Sequence, residues 1–151
     1  KNFRKKRFLS NIPPYEFKSN RFTLFEIDSP SEFEVYESLQ TAYLSNDKNF
    51  TVYAISAAIF YDNEIEKYNK KKEEIFSNLK LLFSHIDFDI ETGKLSGDIT
   101  GKSSYTRYSF SFPDNSFIGV SCYDWVNKWT DSLRVEIYTN DYNNWLTNLA
   151  Y

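Results

Sequence analysis

Residues 104–139 read SYTRYSFSFPDNSFIGVSCYDWVNKWTDSLRVEIYT. Side-chain character here changes at every second position, which is the period of a β-strand. Three strands are predicted, at about 104–112, 117–125 and 132–139. Pro113-Asp114-Asn115-Ser116 makes the hairpin turn between the first two. Alternation sorts their side chains onto two faces. One face takes Tyr108, Phe110, Phe112, Ile118, Val120, Cys122, Leu133, Val135 and Ile137, is almost wholly apolar, and is the predicted core face.

The opposite face takes Tyr105, Arg107, Ser109, Phe117, Ser121, Tyr123, Trp125, Arg134, Glu136 and Tyr138. Arginines beside aromatic rings on a face expected to be wet admit two readings. Cross-strand aromatic pairs, or cover from another part of the chain, can stabilise the sheet. Alternatively the face recognises a partner through aromatic and Arg anchors. The candidate binding residues are Tyr105, Arg107, Tyr123, Trp125, Arg134 and Tyr138, with Trp129 as a rim residue in the V-N-K-W-T-D loop. Cys122 falls on the core face with no histidine near it in sequence, so it reads as a small buried hydrophobe and not as a nucleophile.

Working upstream, period two begins at Asp87, with a strand at about 87–91. Before it, Ile65, Tyr68, Ile75, Leu79, Leu82 and Phe83 form the stripe of a helix over about 63–84, which Asp62 can cap. Glu66, Lys70, Lys71, Lys72, Glu73 and Glu74 make its solvated face. Residues 50–61 are apolar on both faces, hence a central strand, and Asn46-Asp47-Lys48-Asn49 is a turn. Ser29-Pro30-Ser31-Glu32 combines an N-cap, a first-turn proline and a capping-box glutamate. It predicts a helix to about Leu44 with Phe33, Tyr36, Leu39, Ala42 and Tyr43 on one face. A short strand at 22–27 and a short helix near 141–149 complete the chain. The expected fold is α+β: one domain over 22–151, a mainly antiparallel sheet of about five to six strands, two main helices on one face and a short C-terminal helix.

The 151 residues are 41% hydrophobic and 26% charged, ordinary values for a globular chain. Aromatics reach 19%, and with many Lys and Asn and no Met this resembles the codon bias of an A+T-rich genome. A single cysteine excludes an internal disulfide. Lys1, Arg4, Lys5, Lys6 and Arg7 place five of the 18 basic residues in the first seven positions. That leaves 13 basic against 21 acidic groups, a net of −8, in the rest of the chain. Such an acidic body argues against nucleic acid as a partner.

Residues 1–21 lack periodicity and contain Pro13-Pro14, so they read as a basic extended arm. A basic cluster of this kind flanks the cytoplasmic end of many membrane anchors. One reading therefore puts a removed anchor or signal before Lys1 and a cytoplasmic, membrane-tethered domain after it; a trimmed start is the other.

Several short segments resemble motifs that carry chemistry. G-D-I-T-G-K-S (97–103) is one residue short of a phosphate loop and leads into a strand instead of a helix, which excludes that reading. Asp87, Asp89, Glu91 and Asp98 offer oxygen ligands, but the glycine is misplaced for a calcium loop and no helix follows, so no metal residue is assigned. S-N-L-K (77–80) lacks the companion motifs of serine–lysine acyl enzymes. His85, the only histidine, reads as a helix C-terminal residue. No catalytic residue and no cofactor follows. The sequence favours a non-enzymatic protein-interaction or accessory domain, of adaptor, immunity or chaperone type, with a protein partner. The alternative is a small carboxylate-dependent enzyme, with or without a divalent cation, built on Asp87, Asp89, Glu91, Asp124 and Asp131.

Overall fold

The structure, a computed structural model, describes residues 20–28, 35–61, 64–95, 98–126 and 130–149, with the backbone alone at 26–28. The arm, apart from Asn20 and Arg21, and the helix-start signal at 29–34 lie outside the described residues, as do Asp62 and Trp129. Among the described residues the chain forms β1 (Phe22–Asp28), β2 (Ser38–Leu44), β3 (Val52–Tyr61), α1 (Ile65–Leu82), β4 (Phe88–Lys94), β5 (Ser104–Ser111), β6 (Phe117–Asp124), β7 (Asp131–Tyr138) and α2 (Asn140–Asn148). The fold is α+β. Its seven strands make one antiparallel sheet in the order β1-β2-β3-β7-β6-β5-β4. Neither of the two helices is long and apolar enough to cross a membrane.

The sheet is two meanders, β1-β2-β3 and β4-β5-β6-β7, joined where β3 pairs with β7. β3 is an interior strand, as its apolar run requires. The strands at 104–111, 117–124 and 131–138 fall where the alternation puts them. In the Pro113–Ser116 turn, Asn115 takes a positive φ of 65° and the Asp114 carboxylate accepts the Ser116 N–H at 2.9 Å.

The helix expected up to Leu44 is not found in its second half, where Ser38–Leu44 is strand β2, paired on both sides. Leu39, Ala42 and Tyr43 do fall on one helical face. As a strand, however, the same segment puts Leu39, Thr41 and Tyr43 on one face and Ala42 on the other, and Thr41 and Tyr43 suit a pleated surface. Pairing with β1 and β3 satisfies the whole backbone ladder, and that tertiary gain overrides the local helix signal. One strand more than the predicted five to six results, and one helix fewer.

The helices also lie on opposite faces of the sheet, not on one. α1 packs on Phe110, Val120, Cys122 and Leu133, with Tyr108, Phe112 and Val135 beside them. α2 sets Tyr142 and Trp145 on Phe22, Ala42 and Ala54, with Tyr138 beside them. Tyr138 differs in parity from Leu133 and Val135 along β7, so the two clusters are back to back. A bulge contributes: Ala42 pairs with Ala54 but Tyr43 pairs with Val52, leaving Tyr53 extra. Tyr53 consequently joins Ala54 on the α2 side, its ring 5.4 Å from Phe22. Thr139 caps α2, its hydroxyl accepting the Tyr142 N–H at 3.4 Å.

Along α1 the buried row is Tyr68, Lys72 and Phe76, one side chain per turn. This corrects two expectations. Leu82 is 70% exposed, whereas Lys72, placed on the solvated face by its charge, is only 2% exposed. Position 72 bridges the gap between Tyr68 and Ile75 in the apolar stripe, so helical geometry carries the lysine inward. Its ammonium lies 4.6 Å from the centre of the Tyr108 ring and donates one long bond, 3.4 Å, to Asn69 Oδ1. Among the described residues no carboxylate stands within ion-pair reach of it. A buried charge so poorly compensated is destabilising. Lys72→Met should therefore raise stability by about 1 kcal/mol or more, read as a higher midpoint in urea unfolding. A lower midpoint would mean that the ammonium stabilises the α1 seat.

Candidate interaction face

On the α2 side of the sheet, α2 covers β1–β3 and the Tyr138 end of β7. The remaining α2-side surface of β4–β7 bears the aromatic and arginine side chains predicted from sequence. Register sets their order: Tyr105 opposes Tyr123, Arg107 opposes Ser121, and Ser121 in turn opposes Arg134. Tyr105, Arg107, Tyr123 and Arg134 are thus contiguous and all half-buried. Tyr138 sits apart at the α2 end, 5.3 Å from the Phe117 ring and 5.1 Å from Tyr142. Trp125 lies beyond the far end of β6, half-buried, with its backbone N–H donating to Asp131 Oδ1 at 2.6 Å. Arg107, Phe117 and Ser121 separate the two ends.

Two glycines explain part of the aromatic content. A Cβ at Gly93 would stand 2.6 Å from the Tyr105 ring, and one at Gly119 would stand 2.5 Å from the Phe117 ring. Each ring therefore lies over a glycine, covering backbone that would otherwise be bare. Gly93 opposes Tyr105 directly, and Phe117 is two residues before Gly119 on the same face. Tyr105 and Phe117 consequently have a structural task within the sheet. That task went unread in the sequence, although F-x-G within an alternating strand is its signature.

Arg107 is tied down as well. Its Nε donates to Ser121 Oγ and its Nη2 to the Tyr123 hydroxyl, both at 3.1 Å, while Glu91 lies 3.8 Å from Nη1. Tyr105 donates its hydroxyl proton to Glu91. Arg134 behaves differently. It lies 5.3 Å from the centre of the Tyr123 ring, and among the described residues its one side-chain hydrogen bond is a long one, Nε to Ser132 Oγ at 3.4 Å. Glu136 is 6% exposed; Oε1 accepts the Tyr138 hydroxyl at 2.6 Å, and Oε2 accepts nothing among the described residues. Burial first, and then the Glu136 charge, push the Tyr123 and Tyr138 phenols above their ordinary range, so both stay protonated donors.

The remaining sequence candidates do not assemble. Glu91 is engaged as above, Asp131 holds the Trp125 N–H, and Asp87 and Asp89 are exposed on and beside edge strand β4. Asp98 organises the β4–β5 loop: it accepts from the Thr100, Lys102 and Ser103 N–H groups and from the Thr100 and Ser103 hydroxyls. Led by the Ser103 hydroxyl, these donors hold its carboxyl far below the usual range. The Ser103 hydroxyl also accepts the Val126 N–H at 3.0 Å, which ties this loop to the next. The described part of the G-D-I-T-G-K-S segment, 98–103, is therefore a loop leading into strand β5 and not into a helix. Among the described residues no three His, Cys, Asp or Glu side chains converge to hold a metal.

Ser77 donates its hydroxyl back to the Glu73 carbonyl at 2.8 Å, while the Lys80 ammonium sits 4.7 Å over Phe88, so the two form no pair. His85 is exposed after α1. Cys122 is buried, and burial pushes its thiol up to about 11, Lys72 opposing and Glu73 adding to the rise. On the core face, Ile137 departs from expectation at 48% exposed, because α1 does not reach that end of β7. Compared with known proteins, the chain matches no family model, no curated protein and no solved structure.

The two arginines should respond differently to truncation. Arg107→Ala removes charged hydrogen bonds within the network and should lose about 1.5–3 kcal/mol. Arg134→Ala should lose under about 0.5 kcal/mol. Equal losses in denaturant unfolding would show that the asymmetry between them is not real.

Proposed function

We propose that this chain is a non-enzymatic protein-interaction or accessory domain that uses the α2-side surface of β5, β6 and β7. Its binding residues are drawn from Tyr105, Arg107, Tyr123, Trp125, Trp129, Arg134 and Tyr138, which do not share one role. Arg107, Tyr105 and Tyr138 hold the surface in shape, while Tyr123 and Arg134 face the partner. The observation that carries the reading is Arg134: a half-buried residue whose guanidinium lies over an aromatic ring, with most of its donors uncommitted among the described residues. Arg and Tyr in such settings are the residue types that dominate binding energy at interfaces. A surface already fixed by its own hydrogen bonds also loses little conformational entropy on binding. An adaptor, immunity or chaperone-like role, in which a rigid surface meets another chain, is the class of function this reading fits.

The test is selection of peptides from a random library against the intact chain, followed by mapping of the bound site by amide chemical-shift change. Binders should map to β5–β7 around Tyr123 and Arg134. Binders that map consistently elsewhere, for instance to the outer side of α1, would contradict the proposal.

A further inference from the structure

The interaction reading leaves open the chemistry of the partner's contact group, and the contrast between the two arginines bears on it. Arg107 spends its donors on Ser121 and Tyr123 and has Glu91 as counter-charge. It thereby fixes Tyr123, whose ring also stacks with Tyr105 at 6.2 Å. Arg134 rests over that fixed ring. Apart from the long bond to Ser132, its N–H groups meet no acceptor among the described residues, and none of their carboxylates is within ion-pair reach. A guanidinium held over an aromatic face keeps its N–H edge available, and that edge is a planar fork.

We infer that Arg134 is the docking point for a carboxylate of a partner polypeptide, either an Asp or Glu side chain or a chain terminus. This rests on the interaction reading above and adds to it the partner's chemistry. Two parallel N–H···O bonds match a carboxylate to the fork. A phosphate shares that geometry but brings about −1.5 to −2 charges. It would meet Glu91, Glu136 and a body of net −8 outside the first seven residues. One free guanidinium balances one negative charge, so the carboxylate is the better match. Glu136 does not fill the role itself: it is buried, bonded to Tyr138 and beyond ion-pair distance of Arg134. Tyr123 supplies the shelf, and Ser132 is the only competing acceptor among the described residues.

Peptides that map to this face are the probe. They should share an Asp, a Glu or a free C-terminus, and replacing that group by Gln, Asn or an amide should weaken binding at least 10-fold. Arg134→Lys, which keeps the charge but loses the fork, should also weaken them about 10-fold, with the thermal midpoint unchanged. Face-mapped peptides without a common carboxylate, or undiminished binding to Arg134→Lys, would overturn this inference and leave the interaction reading standing. Tighter binding of a phosphoserine version would overturn it in favour of a phosphate ligand. Failure to obtain any binder that maps to the face would overturn both.

Discussion

The pairing of β3 with β7 is the constraint on which the rest of the molecule depends. Eight residue pairs, from Ala54 with Tyr138 to Tyr61 with Asp131, join two meanders that would otherwise be separate small sheets. Because side chains alternate, this one register also fixes which residues face which helix. A slip of one position would exchange Leu133 and Val135 for Arg134 and Glu136 under α1, burying two charges against Phe110 and Val120. Each helix then covers mainly one meander, α1 from one side and α2 from the other. Among the described residues, no helix covers two regions of the sheet and its flanks. One bears Phe50, Val52, Ile55 and Ile137, all exposed; the other bears the aromatic and arginine network.

The network shows why residue type alone is a poor guide to binding. Five aromatic side chains and two arginines looked equivalent on one face. Tyr105 and Phe117 turn out to cover glycines, Tyr138 packs under α2, and Arg107 braces Tyr123. These contacts hold strands together, and an aromatic-rich composition supplies many of them for reasons unrelated to recognition. What distinguishes Arg134, among the described residues, is unspent bonding capacity in a fixed setting. Such a feature depends on the partners a side chain lacks, and no sequence pattern reports it.

The legible parts of the fold are those where one periodicity acts alone. From Ser104 to Tyr138 the alternation is interrupted only at the Pro113–Ser116 turn and at the connection between β6 and β7, and strand limits, core face and the buried state of Cys122 all follow from it. The chain is ambiguous at 38–44, because Leu39, Ala42 and Tyr43 fit both a helix and a strand, and only the neighbours β1 and β3 decide. Lys72 was hidden by its charge: helical phase places it inward, but composition argues outward, and phase prevails. The side on which α2 docks depends on the bulge at Tyr53 and on Phe22, which are distant in sequence from Tyr142 and Trp145. The candidate site was legible as a set of residues and illegible as a division of labour, since Gly93 meets Tyr105 only once β4 and β5 are in register.

The most direct test of this account is native-state hydrogen exchange resolved by residue. If the β3–β7 pairing unites two meanders into one sheet, the amides of β3, β7 and β6 should be the slowest to exchange and should share one opening free energy. Protection should then fall toward the edge strands β1 and β4. Rapid exchange along the β3–β7 ladder, with β1–β3 opening independently of β4–β7, would contradict it.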